Sequence, residues 1–317
     1  DVRRMQAPSP ALLAQQGEIQ RLTGLTGGWQ SVLITAKDDE GALRSEEGLA
    51  HVLDGLVREG AIAGYRSPAS FIPSAARQQD SAEKQFEFVE KRGLLTHLDE
   101  ATRAVLQAVL VPLRHYEWGA NMNTAYCPAY GWGAAVTQPC MFATMDRLGI
   151  AQYLSRIGLL LDANSGGPLS AAKQDWLSAP AWQGVRRVME NMFVTHDWFE
   201  LFVAQNLVFD GLLYPLVYRH AEDALNARTA NALALLTGFM NEWYDETVRW
   251  VDATVKTAAD ESPENRQRLA CWVATWRSEV TDALGPLARL ALGDRAAEAM
   301  AALSSEFDAR IKRLGLA

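Results

Sequence analysis

The side chains best suited to chemistry are carboxylates embedded in apolar sequence. Between His196 and Tyr218 a helix would be apolar on every side, with Trp198, Phe199, Leu201, Phe202, Leu207, Phe209, Leu212, Leu213 and Tyr214 among its residues. Asp197, Glu200, Gln205, Asn206 and Asp210 lie inside the same stretch. A carboxylate buried without a partner costs several kcal/mol or takes up a proton. These groups therefore require Arg, His or backbone partners, or a metal. Inward carboxylates in a helical bundle raise the question of a dimetal site, which needs a Glu on each of two helices and Glu-x-x-His on two others. The chain has five histidines, and three positions before His51, His97, His115, His196 and His220 stand Gly48, Leu94, Pro112, Phe193 and Val217. None is acidic, so the sequence predicts no di-iron centre and no catalytic, cofactor or metal residue in this chain. The favoured role for Asp197, Glu200, Gln205, Asn206 and Asp210 is as satisfied polar groups at a helix end, in the core or at a subunit interface.

A second cluster spans Arg114 to Asn123. Arg114, Glu117 and Asn121 stand at i, i+3 and i+7 and share one helix face. Glu117 could serve as an acid or base; a buried ion pair with hydrogen-bonding amides is the favoured alternative. No serine or cysteine motif accompanies His115 or His196, and there is no phosphate loop, zinc spacing or dinucleotide fingerprint.

The elements that must position these groups are helices. Residues from Asp80 onward show helical periodicity only. They predict helices over Asp80–Arg92, from an Asp99 cap toward Met122 with a kink at Pro112, and over Pro139–Asp162 after a loop at Tyr126–Pro139. Shorter helices follow, one capped by Ser170 and one opened by Pro180 and leading to Met192; the apolar helix then runs from His196 to about Ala224. Three more cover Asn226–Ala259, Ser262–Gly293 and Asp294–Leu314, with a break at Gly285-Pro286. Pro215 cannot donate to the Gly211 carbonyl, so the apolar helix should kink or bulge there. Ahead of this bundle, residues 1–78 read as a small α/β segment: a helix at Ala11–Leu22, a strand at Trp29–Thr35, a helix at Glu40–Glu59 and a strand at Ala61–Tyr65. Two domains are expected, 1–78 and 79–317.

Composition narrows the partners. The net charge is −8 with both signs interspersed, whereas nucleic acid calls for a basic face. Leu201–Tyr218 is interrupted by Gln205, Asn206 and Asp210, short of a membrane span. Three cysteines without CxxC spacing, and no visible leader ahead of Pro8 and Pro10, suit a reducing cytoplasm. Ten Trp residues suit either a core or a subunit interface.

Several stretches carry a family resemblance. Glu90-Lys91-Arg92-Gly93-Leu94-Leu95-Thr96, Leu110–His115 with Gly119–Asn123, Met145–Ile157 (which includes Asp146 and Arg147), Asp197–Leu201 with Gln205-Asn206, and Tyr214–Tyr218 resemble the beta subunit of phenol hydroxylases among the soluble di-iron monooxygenases. The resemblance implies a ferritin-like helical bundle without a di-iron site, and a structural role for Arg114, Glu117, Asn121, Asn123, Asp146, Arg147, Asp197, Glu200, Gln205, Asn206 and Asp210 in a polar core or interface. It also implies partners: an alpha subunit holding the di-iron, a gamma subunit, a coupling protein, and a reductase with FAD and a 2Fe-2S cluster. Together these would hydroxylate phenol or a similar arene at the expense of NADH.

The N-terminal segment departs from that family. Met5–Gln16, Gly64–Pro68 and Ile72–Gln78 resemble an extracytoplasmic segment of exporters of the RND superfamily. The implied alternative is an exporter fragment fused to a helical domain, joined near Ala75 to Asp80.

Overall fold

The computed structural model describes Val32, residues 34–61 and residues 84–316. The chain separates into two compact units, Asp1–Gln79 and Asp80–Ala317. In the first, helix α1 (Asp39–Arg58) starts at Asp38, whose carboxylate accepts from the Gly41 amide at 2.7 Å. The expected strands are absent from the described residues: Val32 and residues 34–36 have no regular structure, and Ala61 lies in a bend. The rest of both strand expectations, and the helix at Ala11–Leu22, lie outside the described residues.

The second unit is helical throughout its described residues. Helix α2 covers 84–91, burying Phe86 and Val89, and the chain turns at Gly93 with φ +60°. Asp99 caps α3 (Glu100–Val109), accepting from the Thr102 amide at 2.8 Å. Pro112 then opens a separate helix, α4 (Leu113–Tyr130). The loop expected at Tyr126–Pro139 shrinks to Gly131–Gly133, because α5 (Ala134–Leu160) begins early. Pro128 and Pro139 lie inside the helices, and each deprives one carbonyl, that of Thr124 and that of Ala135, of its helical donor. α6 (Gly167–Ser178) starts behind Gly166 at φ +80°, so Ser170 lies within its first turn rather than capping it. Pro180 opens α7 (Pro180–Phe193).

Next comes the apolar helix, α8 (Trp198–Thr229), long and apolar enough by composition to cross a membrane but enclosed by the other helices. It is not a uniform α-helix. Wider π-type turns at Val203–Phe209 and Leu216–Ala221 flank Asp210–Pro215, so the irregularity expected at Gly211–Pro215 falls on both sides of it. After Pro215, which lacks an N–H, the Leu216 amide shares the Leu212 and Leu213 carbonyls.

α9 (Ala232–Glu261) is followed by α10 (Pro263–Leu292), whose first turn is capped by Ser262 accepting from the Asn265 amide at 3.0 Å. α10 continues through Gly285-Pro286 without the expected break. Pro286 deprives one carbonyl of its donor, while Leu284, Leu287 and Ala288 around it are buried. α11 (Ala296–Arg313) closes the bundle. α4 and α5 pack along their lengths, α7 lies on α10, and α8 threads between α4, α9, α10 and α11. At the α7–α10 crossing the backbones nearly touch: a Cβ on Gly184 would meet the Ala283 Cα at 2.8 Å.

Candidate functional site: a buried charged centre

Three helices direct polar side chains into the middle of the bundle. α4 contributes Tyr116, Glu117, Asn123 and Thr124, α5 contributes Arg147, and α8 contributes Gln205, Asn206, Asp210 and Tyr214; all nine are buried. Arg147 is the hub. Its guanidinium forms a short ion pair to Asp210 Oδ2 and lies 3.3 Å from Asp210 Oδ1 and 3.2 Å from Glu117 Oε2. It also donates to Asn206 Oδ1 at 3.3 Å and to Thr124 Oγ1 at 3.1 Å. The indole of Trp243 on α9 covers it, 5.2 Å from the guanidinium carbon.

The two carboxylates are held differently. Asp210 receives Arg147, the Tyr116 hydroxyl at 2.7 Å and the Gln205 amide at 3.1 Å. Gln205 and Asp210 are five residues apart, and the π-type turn, in which the Asp210 amide donates to the Gln205 carbonyl, lets them meet. Gln205 in turn accepts from Asn123 Nδ2 at 3.0 Å. Glu117 has one contact to Arg147 and one donor beyond it, the Tyr214 hydroxyl at 2.7 Å. Burial pushes its carboxyl up to about 7, with Asp210 adding to the rise and Arg147 opposing it. Burial also works against the Arg147 charge, but Asp210 and Glu117 outweigh it and hold the guanidinium protonated. Tyr116 and Tyr214 are raised by burial and stay neutral donors.

Of the residues expected to be polar core or interface, the structure gathers Glu117, Asn123, Arg147, Gln205, Asn206 and Asp210. The others stand apart. The cation paired with Glu117 is Arg147 on α5, not its helix neighbour Arg114, which is half-buried. Asn121 donates to the Thr144 carbonyl at 2.5 Å, and Asp146 accepts from the Trp243 indole at 3.0 Å. Asp197 caps α8, accepting from the Phe199 and Glu200 amides, and Glu200 accepts from the Trp276 indole at 3.0 Å. Sequence reasoning did not single out Tyr116, Thr124 or Tyr214. Tyr214 carried a signal, lying one turn after Asp210 on the same helix.

The donor set decides what this centre can hold. A di-iron pair needs carboxylates and imidazoles around an open space. Here a guanidinium fills the space between Glu117 and Asp210, and none of the five histidines is buried. The residues do not fit a dimetal centre. The void beside Leu106, Leu110, Tyr218 and Thr237 has a volume of about 10 Å³, room for one water rather than an arene.

Residues 67–262 match the model of the methane/phenol/alkene hydroxylase family. The chain is 45% identical over 247 residues to the phenol 2-monooxygenase oxygenase component DmpL of Pseudomonas sp. (strain CF600), covering 78% of this chain and 74% of that one. It is 28% identical over 201 residues to the toluene-4-monooxygenase hydroxylase component subunit beta of Ectopseudomonas mendocina, 62% of this chain and 56% of that one. The crystal structure of xenon-pressurised phenol hydroxylase from Pseudomonas sp. OX1 contains a chain 40% identical to it, with a TM-score of 0.74 over 79% of this chain and 75% of that one. A chain of toluene 4-monooxygenase, 23% identical, shares the fold at a TM-score of 0.62 over 73% of this chain and 72% of that one. The expected ferritin-like helical fold is the one these neighbours have. The exporter resemblance of residues 1–78 has no support among these likenesses, and the family match begins at residue 67, inside that segment. The chain belongs to the methane/phenol/alkene hydroxylase family.

Proposed function

We propose that the chain is the non-catalytic beta subunit of the hydroxylase component of a phenol-type multicomponent monooxygenase. Its task is to hold in place a larger alpha subunit that carries the di-iron and hydroxylates the arene. The observation that carries this reading is the centre of the bundle, where Arg147 lies between Glu117 and Asp210 and ties α4, α5 and α8 together. An oxygen-activating site needs an open, ligand-rich cavity; a core closed by a guanidinium suits a support. The likeness to an oxygenase component and to a hydroxylase subunit beta points the same way. On this reading a gamma subunit, a coupling protein and an NADH-linked reductase with FAD and 2Fe-2S complete the enzyme, and the assembly works in the cytoplasm.

Reconstitution by omission tests it. Phenol hydroxylation driven by NADH should be restored when this chain joins its alpha and gamma partners, reductase and coupling protein, and be lost when it alone is left out. Full turnover without it, or turnover by this chain without alpha, would refute the proposal.

A further inference from the structure

Behind Glu117 lies a cluster of oxidisable rings. Tyr214 on α8 stacks on Tyr244 of α9, with ring centres 5.2 Å apart and planes at 21°. It also packs against Trp243 at 5.4 Å and Tyr218 at 5.0 Å. Packing alone would be served by Phe at these positions. The Tyr218 hydroxyl is even buried without a hydrogen-bond partner among the described residues, which costs stability. The four rings differ in where a proton could go. The Tyr214 hydroxyl donates to Glu117 Oε1 at 2.7 Å, and the Trp243 indole donates to Asp146 Oδ2 at 3.0 Å. Tyr244 instead faces the Arg310 guanidinium at 3.4 Å. Of the three phenols in the cluster, Tyr214 is the one hydrogen-bonded to a carboxylate. The phenols are buried and Trp243 is half-buried, so Trp243 is the ring through which the cluster reaches the surface.

The geometry points to a proton-coupled redox pair of Tyr214 and Glu117, connected to the surface by Trp243, that reduces one-electron oxidants of higher potential than a tyrosyl radical. The oxidant takes one electron from the Trp243 indole, whose N–H stays bonded to Asp146. Tyr214 returns an electron to Trp243 and passes its hydroxyl proton to Glu117 Oε1. The sum is a reduced oxidant, a neutral Tyr214 phenoxyl radical and a neutral Glu117 carboxylic acid. A one-electron reductant from solution, such as ascorbate, and the proton returned by Glu117 restore the phenol. Charge sets the direction. The Arg147 guanidinium lies 5.2 Å from the Trp243 ring centre and repels a positive charge resting on the indole. Tyr214 carries no such charge once its proton has left, and burial has raised the proton affinity of Glu117, to about 7. Glu117 is faced by Arg147 from α5 and by Asp210, Tyr214 and Tyr218 from α8; the one cation among them is shared with Asp210. The electron vacancy therefore moves inward from Trp243 and settles on Tyr214. This activity goes beyond the subunit role proposed above and does not depend on it.

The test uses the full chain carrying Cys271→Ser and Glu246→Cys. The second substitution places one exposed thiol three residues after Trp243 on the same face of α9, while Cys127 and Cys140 are buried. A ruthenium polypyridyl complex attached there is converted to ruthenium(III) by a flash and an irreversible quencher, in mildly alkaline buffer where Glu117 is ionised. A tyrosyl radical is expected, identified by electron paramagnetic resonance with ring-deuterated tyrosine and timed by its absorbance. Tyr214→Phe should lower its yield at least tenfold, and Trp243→Phe should slow its appearance by a similar factor. Heavy water should slow radical formation in the labelled chain but not in its Glu117→Gln variant, a readout that a purely structural role would not move. Tyr126→Phe, outside the cluster, should leave the yield unchanged. An undiminished tyrosyl signal in Tyr214→Phe, a radical that stays on tryptophan, or the absence of a solvent isotope effect in the labelled chain itself would overturn the redox pair. The proposed function stands in each of these cases.

Discussion

Two sides of the same helix pair invert the usual arrangement of a soluble protein. The inner side of α4 and α5 carries Glu117 and Arg147 among tyrosines and amides, all out of water. The outer side carries Trp118, Met122, Phe142 and Met145 in water. Charge inside is tolerated because Arg147, Asp210 and Glu117 satisfy one another and Tyr116, Tyr214, Gln205, Asn206 and Thr124 supply the remaining hydrogen bonds. Apolar surface outside has no such internal compensation. The inner side is complete as it stands, and the outer side leaves its apolar side chains in water.

If the inner side is complete, breaking it should have the largest effect. Asp210→Asn leaves Arg147 without its principal counter-charge, and Arg147→Met leaves two carboxylates facing each other. Each should cost about 3–5 kcal/mol, read by urea denaturation of the purified chain. Phe142→Asp on the outer side should change the same transition by about 0.5 kcal/mol or less. Comparable losses on both sides would erase the contrast.

The next effect is the proton on Glu117. Its folded value of about 7 lies above the ordinary 4.5, so the folded state binds this proton more tightly than the unfolded state. The stability it contributes is complete below pH 4.5 and lost as pH rises through 7, by on the order of 3 kcal/mol. Glu117→Gln mimics the protonated acid and should remove most of that slope between pH 5 and 8 at little cost near pH 5. An unchanged slope would place the charge balance elsewhere.

Smaller still is the close approach of α7 and α10. Gly184→Ala puts a methyl against the Ala283 backbone, which cannot yield as a flexible side chain would. A loss of about 1–3 kcal/mol is expected. Gly149→Ala, with open space around its Cβ position, should be neutral or slightly stabilising.

How much of this was legible in the sequence varied with the length scale of the signal. Local signals were readable: the Asp99 and Ser262 caps, Pro180 at a helix start, and α8 as an enclosed helix because no polar stripe remains on it. Proline misled where tertiary packing prevailed, at Pro128, Pro139 and Pro286. The missing Glu-x-x-His could be checked directly, since histidines are few. Pairings across helices could not. Glu117 was matched by helical spacing with Arg114, whereas its partner Arg147 is 30 residues away on α5, and Arg147 itself stood out only through the family resemblance. The contact of Gln205 with Asp210 depends on a π-type turn, which regular α-helical periodicity conceals. The strand expectations failed at every described position they cover.

The central claim is that the centre of this bundle is closed by an arginine and that its metal-bearing counterpart resides in another chain. Iron analysis of the assembled hydroxylase, with the subunits then separated without chelator, addresses it most directly. The iron should stay with the larger subunit, and this chain, titrated with Fe(II), should show no stoichiometric binding. Two irons bound per copy of this chain would contradict the account.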